Sequence, residues 1–397
     1  MSAKYNYILI GSGIIGLTLA KAIKSKWPDA RILILDKEDH EAFHASSRNS
    51  GILHAGFYYT ANSLKAQLTV KGSQAMKAFC REKSLKINEC GKLVVARNEQ
   101  ELQTLLELEQ RGKTNGSNIQ IIDEGRAKEI EPNVKTFKKA LWSPDTASID
   151  PKEVCRTLVE DLKQKGIEFS YQTQYLANKS NTLITNRGEF EAERVINCAG
   201  LYADKIAQDF GFGQKYTVIP FKGLYLKYTK NKTDVKVNIY PVPNLKNPFL
   251  GVHFTKTVDG SIKIGPTAIP AFWKEQYSGL SRFKLNELFR ISLEEANLFL
   301  NNSFGFRNLA FEELRKYNKK YFISLAQDMV ESIDPNGFTE YTQPGIRAQL
   351  LNKTTRELVG DFIIEGDQKS LHILNAVSPA FTCSFAFAEL VVKQYLS

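Results

Sequence analysis

The chain has 397 residues, 43% apolar and 11% aromatic, which is too many for one simple core and enough to bury two, so two domains are expected. A net charge of +10 leaves nucleic acid, an anionic membrane surface and acidic substrates open, and the scattered lysines favour none of them. No apolar run approaches the roughly 18 residues of a spanning helix, and strand-like sequence begins almost at the N-terminus, where a signal peptide would lie; a cytoplasmic protein is expected, with peripheral contact at the inner membrane left open.

Residues 5–36 read as strand, tight turn, helix and strand: YNYILI, GSGIIG, LTLAKAIKSKW closed by Pro28, and RILILD. A stretch of low apolarity at 37–59 precedes helical periodicity over 64–83 and a strand at 92–96. A helix near 151–165 and a buried strand at 194–198 make a second α/β stretch. Strand patterns at 224–228, 235–240, 249–255 and 262–265 suggest an antiparallel sheet separate from the parallel one. The cations of 315–320 read as a solvated helix face.

Gly11, Gly13 and Gly16 form G-x-G-x-x-G between an apolar strand and a helix. Gly11 suits the tight turn, Gly13 lets a pyrophosphate approach the backbone, and Gly16 lets the helix pack on the strand. The helix start offers N–H groups and a positive dipole end to phosphate. Asp36 closes the second strand 20 residues after Gly16, where its carboxylate would accept bonds from a ribose diol. This module does not separate FAD from NAD.

The next segment, HASSRNSGILHAGFYY, is rich in small residues that let backbone approach a flat ring, with Arg48, His54 and Tyr58 adding a charge, a titratable group and a hydroxyl. On composition alone it is a polar loop with one satisfied histidine. The run RNSGILHAGFYYTANSLKAQL, CGKLVVA at 90–96, the stretch 239–268, and the late PGIRAQ and NAVSPAFT segments resemble, in order and over nearly the whole chain, the L-2-hydroxyglutarate oxidase/dehydrogenase family of D-amino-acid-oxidase-like flavoproteins.

The resemblance implies a Rossmann-type FAD-binding domain assembled from 1–90, 150–215 and 345–397, and a substrate domain with a mixed or antiparallel sheet from 91–149 and 216–344. It implies noncovalent FAD at Gly11, Gly13, Gly16 and Asp36, with the flavin passing Ser47, Arg48, Asn49, Ser50 and Gly51. Ala199 and Gly200 would approach the cofactor, and Ser378, Pro379 and Ala380 would lead into a helix start facing the flavin pyrimidine edge, where negative charge grows on reduction. The implied reaction is oxidation of L-2-hydroxyglutarate, or a related 2-hydroxy diacid, to the 2-oxo acid by hydride transfer to flavin N5. Two departures bear on the substrate: relatives carry threonine-glycine-histidine where this chain has Ser46-Ser47-Arg48, and arginine where it has Lys222, and lysine replaces a two-pronged grip by a point charge.

Such an oxidation needs a base for the hydroxyl proton and cations for the carboxylates. His253 is the first candidate base, since alternation along 249–255 puts Gly251, His253 and Thr255 on one face and Gly251 leaves space there for a ligand; His54 is its rival. Arg347, Lys222 and Arg48 are candidates for the carboxylates, and Tyr240 for a substrate hydroxyl contact, although in a chain with 53 cations each also reads as an ordinary surface charge. Five scattered cysteines without a CxxC pair or histidine cluster argue against disulfides and against a metal site. An amino-acid oxidase or deaminase of the same fold remains open, as do an RNA-modifying flavoprotein and a nucleotide-sensing scaffold, although no RNA-binding module is seen and no nucleic-acid partner is expected. Oxygen and a quinone are both open as electron acceptors.

Overall fold

Ile8, Leu9 and Ile10 are all buried, as a strand with neighbours on both edges and helices over its faces requires. The computed structural model, which describes residues 4–179, 182–230, 235–244 and 249–396, sets this strand, Lys4–Ile10, between two parallel partners. Ile32–Leu35 places Ile34 beside Leu9, and Gly188–Asn197 places Ile196 beside it on the other edge. Glu168–Ser170 extends the sheet past Ile32–Leu35. The far edge of Gly188–Asn197 is shared by antiparallel Thr182–Thr185 and parallel Ser370–Ile373. Helix Ile14–Lys26 packs against helices Pro151–Gln164 and Ala380–Tyr395.

These elements belong to one compact unit, Met1–Asn49, Pro151–Pro220 and Arg347–Ser397; Ser50–Asp150 and Phe221–Ile346 form a second. The first break falls after Asn49, where the sequence reading set it at residue 90. The cause is pairing: Ile52–Leu53 and Ile87–Asn88 both pair with Ala147–Ile149, which keeps the 50–90 stretch with second-unit partners.

The second unit is built on an eight-stranded sheet in the order Phe338–Tyr341, Leu226–Tyr228, Ile262–Gly265, His253–Lys256, Asn238–Pro241, Lys92–Val95, Lys139–Ser143, Gln120–Asp123. It is mixed, because Asn238–Pro241 runs parallel to Lys92–Val95 while the other pairs are antiparallel. The period of two along each strand divides the core between the two faces. Leu93, Val95, Ile239, Phe254 and Ile264 pack with Phe322 and Ala326 of helix Lys319–Gln327. Val94, Leu141 and Tyr240 pack with Leu102, Leu105 and Leu108 of helix Glu99–Thr114.

Two local expectations are corrected. The strand expected at 249–255 begins only at His253, so Gly251 lies before it, and a Cβ there would stand 3.1 Å from Pro241 Cγ instead of facing open space beside the histidine. The cations of 315–320 do not share one solvated face: helix Phe306–Arg315 ends, Lys316 is buried against Glu313, and a new helix starts at Lys319. Within the 239–268 motif, residues 245–248 lie outside the described residues.

Candidate functional site

In the first unit the glycine turn is fixed by contacts that exclude side chains. Gly11 has φ +109°, and a Cβ on it would lie 2.6 Å from the Cys198 carbonyl oxygen. A Cβ on Gly16 would lie 2.1 Å from the Gly11 oxygen, so helix and strand touch there backbone to backbone. Gly13 caps the helix and is different: the nearest atom to its Cβ position is the Ser46 hydroxyl at 3.0 Å. That hydroxyl accepts the Ile14 N–H at 2.9 Å, so Ser46, read in the sequence only as a small residue, is a polar group at the helix start. The Asp36 carboxylate accepts from Ser12 N at 2.7 Å, Ser12 Oγ at 2.6 Å and Glu38 N at 3.0 Å, and stays partly exposed with lone pairs to spare for a diol.

The neighbouring strand end is shaped by one side chain. Asn197 donates to Ala203 O at 2.8 Å and accepts from Ala199 N at 3.1 Å, holding the turn in which Gly200 takes φ +53° with no atom within 4 Å of its Cβ position. Cys198 N bonds to Ile10 O at 2.9 Å, so Ala199 and Gly200 emerge beside Gly11 at the carboxyl ends of parallel strands, where such sheets bind nucleotides. Ser47, Arg48 and Asn49 close a series of turns; Arg48 Nε donates to Phe43 O at 2.8 Å, which ties this candidate carboxylate ligand to its own loop. Ser50 and Gly51 follow across the unit boundary, Gly51 at φ +77°. Helix Ala380–Tyr395 starts directly after Ser378 and Pro379. Asn375 anchors the approach to it by donating to Val359 O and Asp361 O at 3.1 and 2.6 Å.

In the second unit, register brings chemistry to one sheet face. Tyr240 and His253 stack at 3.7 Å between ring centroids, with an interplanar angle of 16°. Nδ1 of His253 lies 2.7 Å from Gly251 O and donates to it, which leaves the lone pair on Nε2. Burial drives this imidazole down to about 3, so it is neutral across the physiological range. Lys92, two residues from Val94 and on its face, is fully buried and its ammonium has no hydrogen-bond partner among the described residues. Its Nζ sits 4.6, 4.6 and 4.7 Å from the ring centroids of Phe57, Tyr58 and Tyr240, and desolvation lowers it to about 7. Lys263, opposite Thr255 on the next strand, lies over the Tyr225 ring at 4.7 Å and is lowered to about 8, again by burial.

Of the sequence candidates, Tyr240 and His253 are therefore brought together. His54 is buried just beyond Ile52–Leu53, in the segment that leads to Phe57 and Tyr58. Lys222 is half-buried on strand Tyr216–Gly223, its ammonium lowered by burial, and Arg347 lies on strand Gly345–Asn352 in the first unit. Lys92 and Lys263 were missed because their significance depends on strand register.

The glycine turn, the acid and the helix start define a dinucleotide-binding protein of the doubly wound α/β kind. A family model described as FAD dependent oxidoreductase matches residues 6–394, and the chain belongs to that family, with FAD as its cofactor. It is 32% identical to the L-2-hydroxyglutarate dehydrogenase of Escherichia coli (strain K12), over 98% of this chain and 93% of that protein. It is 34% identical to the mitochondrial L-2-hydroxyglutarate dehydrogenase of Caenorhabditis briggsae, over 99% and 94%. In fold it is similar to the FAD-bound L-alpha-glycerophosphate oxidase from Mycoplasma pneumoniae, with TM-score 0.77 at 20% identity, covering 99% and 95% of the chains. The resemblance and the FAD expected from the sequence motifs are thus borne out.

Gly13 separates folding from loading. Gly13→Val keeps an allowed backbone but fills the cradle at Ser46, so a folded, colourless protein is expected, whereas the wild type should be yellow and should release its flavin on acid precipitation; normal flavin content in Gly13→Val would refute the cradle. Lys92→Met should raise stability in denaturant unfolding by about 1–3 kcal/mol at pH 6, since it removes a buried, unbonded ammonium. Because the folded-state value is depressed, the native penalty is complete below about 7 and fades as pH rises toward 10.5, so the gain should shrink over the same range.

Proposed function

We propose that the protein oxidises L-2-hydroxyglutarate to 2-oxoglutarate, with oxygen or a quinone as the final acceptor and a peripheral membrane contact compatible with the second. The observation that carries the reading is the cationic sheet face around a neutral, oriented His253, which suits a substrate with two negative charges and one hydroxyl to deprotonate. The named relatives act on that substrate by their names, which supports the choice.

Bound FAD supplies the acceptor for the α-hydride. Gly11, Gly13, Gly16, Ser46 and Asp36 would hold its adenosine and pyrophosphate portion. His253 takes the hydroxyl proton on Nε2, its tautomer set by Gly251 and its ring plane by Tyr240. With a free-protein value of about 3 it is a weak base until an anion arrives; a carboxylate close to it favours the imidazolium and strengthens it when substrate is in place. Lys92 and Lys263 favour the dianion electrostatically, and Arg347 and Lys222 hold its two carboxylates, Arg347 through a forked grip and Lys222 as a point charge.

His253→Ala should slow flavin reduction at saturating substrate by about 10²-fold or more while changing KM little, as loss of a proton acceptor used in the transition state does. The base must be neutral to act, so kcat/KM should show no acid limb between pH 5 and 8; a limb near 6.5 would remove His253 from the role. The lysines act in their charged forms, so kcat/KM should fall as pH rises through about 7 to 8, and Lys263→Met should alter that alkaline limb.

Arg347→Ala should weaken kcat/KM by roughly ten- to a hundredfold. Lys222→Ala should penalise the diacid far more than lactate, which has no distal carboxylate. Equal losses on both substrates, or lactate matching the diacid in the wild type, would refute the two-cation grip.

A further inference from the structure

A surface helix of a water-soluble protein turns its apolar stripe toward the core. Helix Leu285–Leu300 does the reverse. It buries Glu287 and Glu295 beside Ile291 and Leu298, and presents Leu285, Phe289, Leu293 and Leu300 at between 57 and 72% exposure. Those four recur every four to seven residues along one stripe, so the inversion runs the length of the helix. The buried acids are accommodated: Glu287 accepts Lys274 N at 2.9 Å, and burial pushes Glu295 up to about 8, leaving it uncharged at neutral pH.

The neighbouring helix, Phe306–Arg315, packs against the first and exposes Phe311 and Leu314. Phe299 and Phe311 meet edge to face at 5.7 Å, joining the two apolar faces. Arg307, Arg315, Lys319 and Lys320 are exposed around them. Residues 280–320 hold eight cations and five carboxylates; Lys316 is buried along with Glu287, Glu295 and Glu313, which leaves seven cations against Glu294 and Glu312, so the solvent side is positive.

We propose that this two-helix face docks on an anionic lipid bilayer, with the leucines and phenylalanines entering the boundary between headgroups and acyl chains and the surrounding cations meeting lipid phosphates. Among the described residues no helix is long and apolar enough to cross a membrane, so the attachment is a surface one. The charge pattern selects this occupant over a second copy of the chain. A two-fold dimer through the face would set the basic rim against its own copy, whereas an anionic bilayer complements the apolar stripe and the rim together. The proposal does not depend on the substrate assignment.

The test is co-sedimentation of the full FAD-loaded protein with vesicles of phosphatidylglycerol and of phosphatidylcholine. Wild type should bind phosphatidylglycerol vesicles at least about tenfold more tightly than phosphatidylcholine vesicles, and less so in high salt. Phe289→Glu with Leu293→Glu should lower binding at least about tenfold, with flavin content and turnover of L-2-hydroxyglutarate unchanged, which shows that the fold and the reaction site are intact. Failure of the wild type to bind, equal binding by the variant, or a solution dimer in sedimentation velocity that the same variant abolishes would each overturn the proposal.

Discussion

Lys92 carries an ammonium group into a place where, among the described residues, no oxygen receives it. Three aromatic faces surround it, and their quadrupoles return part of the hydration it has lost, about 0.5–2 kcal/mol per ring at best. That does not match the cost of desolvating a charge, and the fall of its affinity for a proton to about 7 expresses the shortfall. The arrangement of side chains on this sheet face is centred on this group. Tyr240 has one ring to offer to both Lys92 and His253; the ammonium lies 4.7 Å from the ring centroid and the imidazole stacks on it at 3.7 Å. The lysine therefore biases the histidine toward the neutral form by charge, adding to the larger effect of burial.

A face with two destabilised ammonium groups and a neutral imidazole is incomplete without an anion. Negative charge arriving there restores proton affinity to Lys92 and Lys263 and gives His253 a reason to hold a proton. In the proposed reaction binding and proton transfer would thereby be linked: the same charge that favours the substrate would make His253 strong enough as a base to act on it. A zwitterionic amino acid brings less net negative charge to this face than a hydroxy diacid does, which favours the diacid on electrostatic grounds alone.

Local sequence carried the first unit well. The glycines, Asp36 and the strand-helix-strand order are adjacent along the chain, and Gly16 against Gly11 and Asp36 against Ser12 have their reasons inside that one segment, while the contacts of Gly11 with Cys198 and of Gly13 with Ser46 come only with the fold. The approach of Ala199 and Gly200 was implied by the resemblance, whereas the bonds by which Asn197 shapes their turn came only with the structure. Ser46 was not, because its hydroxyl matters only when the loop folds back onto Ile14, 32 residues earlier. Lys92 and Lys263 were invisible in a stronger sense: lysine in a strand ordinarily points to water, and only the pairing of Lys92–Val95 with Asn238–Pro241 and of His253–Lys256 with Ile262–Gly265 turns both inward on one face. Gly251 was misread because strand alternation was extended four residues ahead of the true start at His253, and the 50–90 stretch because its pairing partners, Ala147–Ile149, lie far along the chain.

Buried ionisable groups in this protein divide by whether the backbone satisfies them. Glu131 is fully buried, yet it accepts N–H groups from Lys236, Val237 and Asn133; it splices two chain segments together and offers nothing to a ligand. Glu313 is paired with Lys316 and accepts Ala268 N, which makes it equally structural. Lys92 has no such partner. Charge burial alone therefore does not mark a reactive site here, since satisfied carboxylates are common in the same unit. What singles out the Lys92 face is burial without satisfaction, next to an oriented imidazole. The inverted helix Leu285–Leu300 differs on this count: Glu287 accepts a backbone N–H, whereas Glu295 is held uncharged by burial at a cost to the fold, and the leucines and phenylalanines on the other side are held in water. An apolar face of this size marks an interaction surface, and in the proposed docking the cations around it set the sign of the partner.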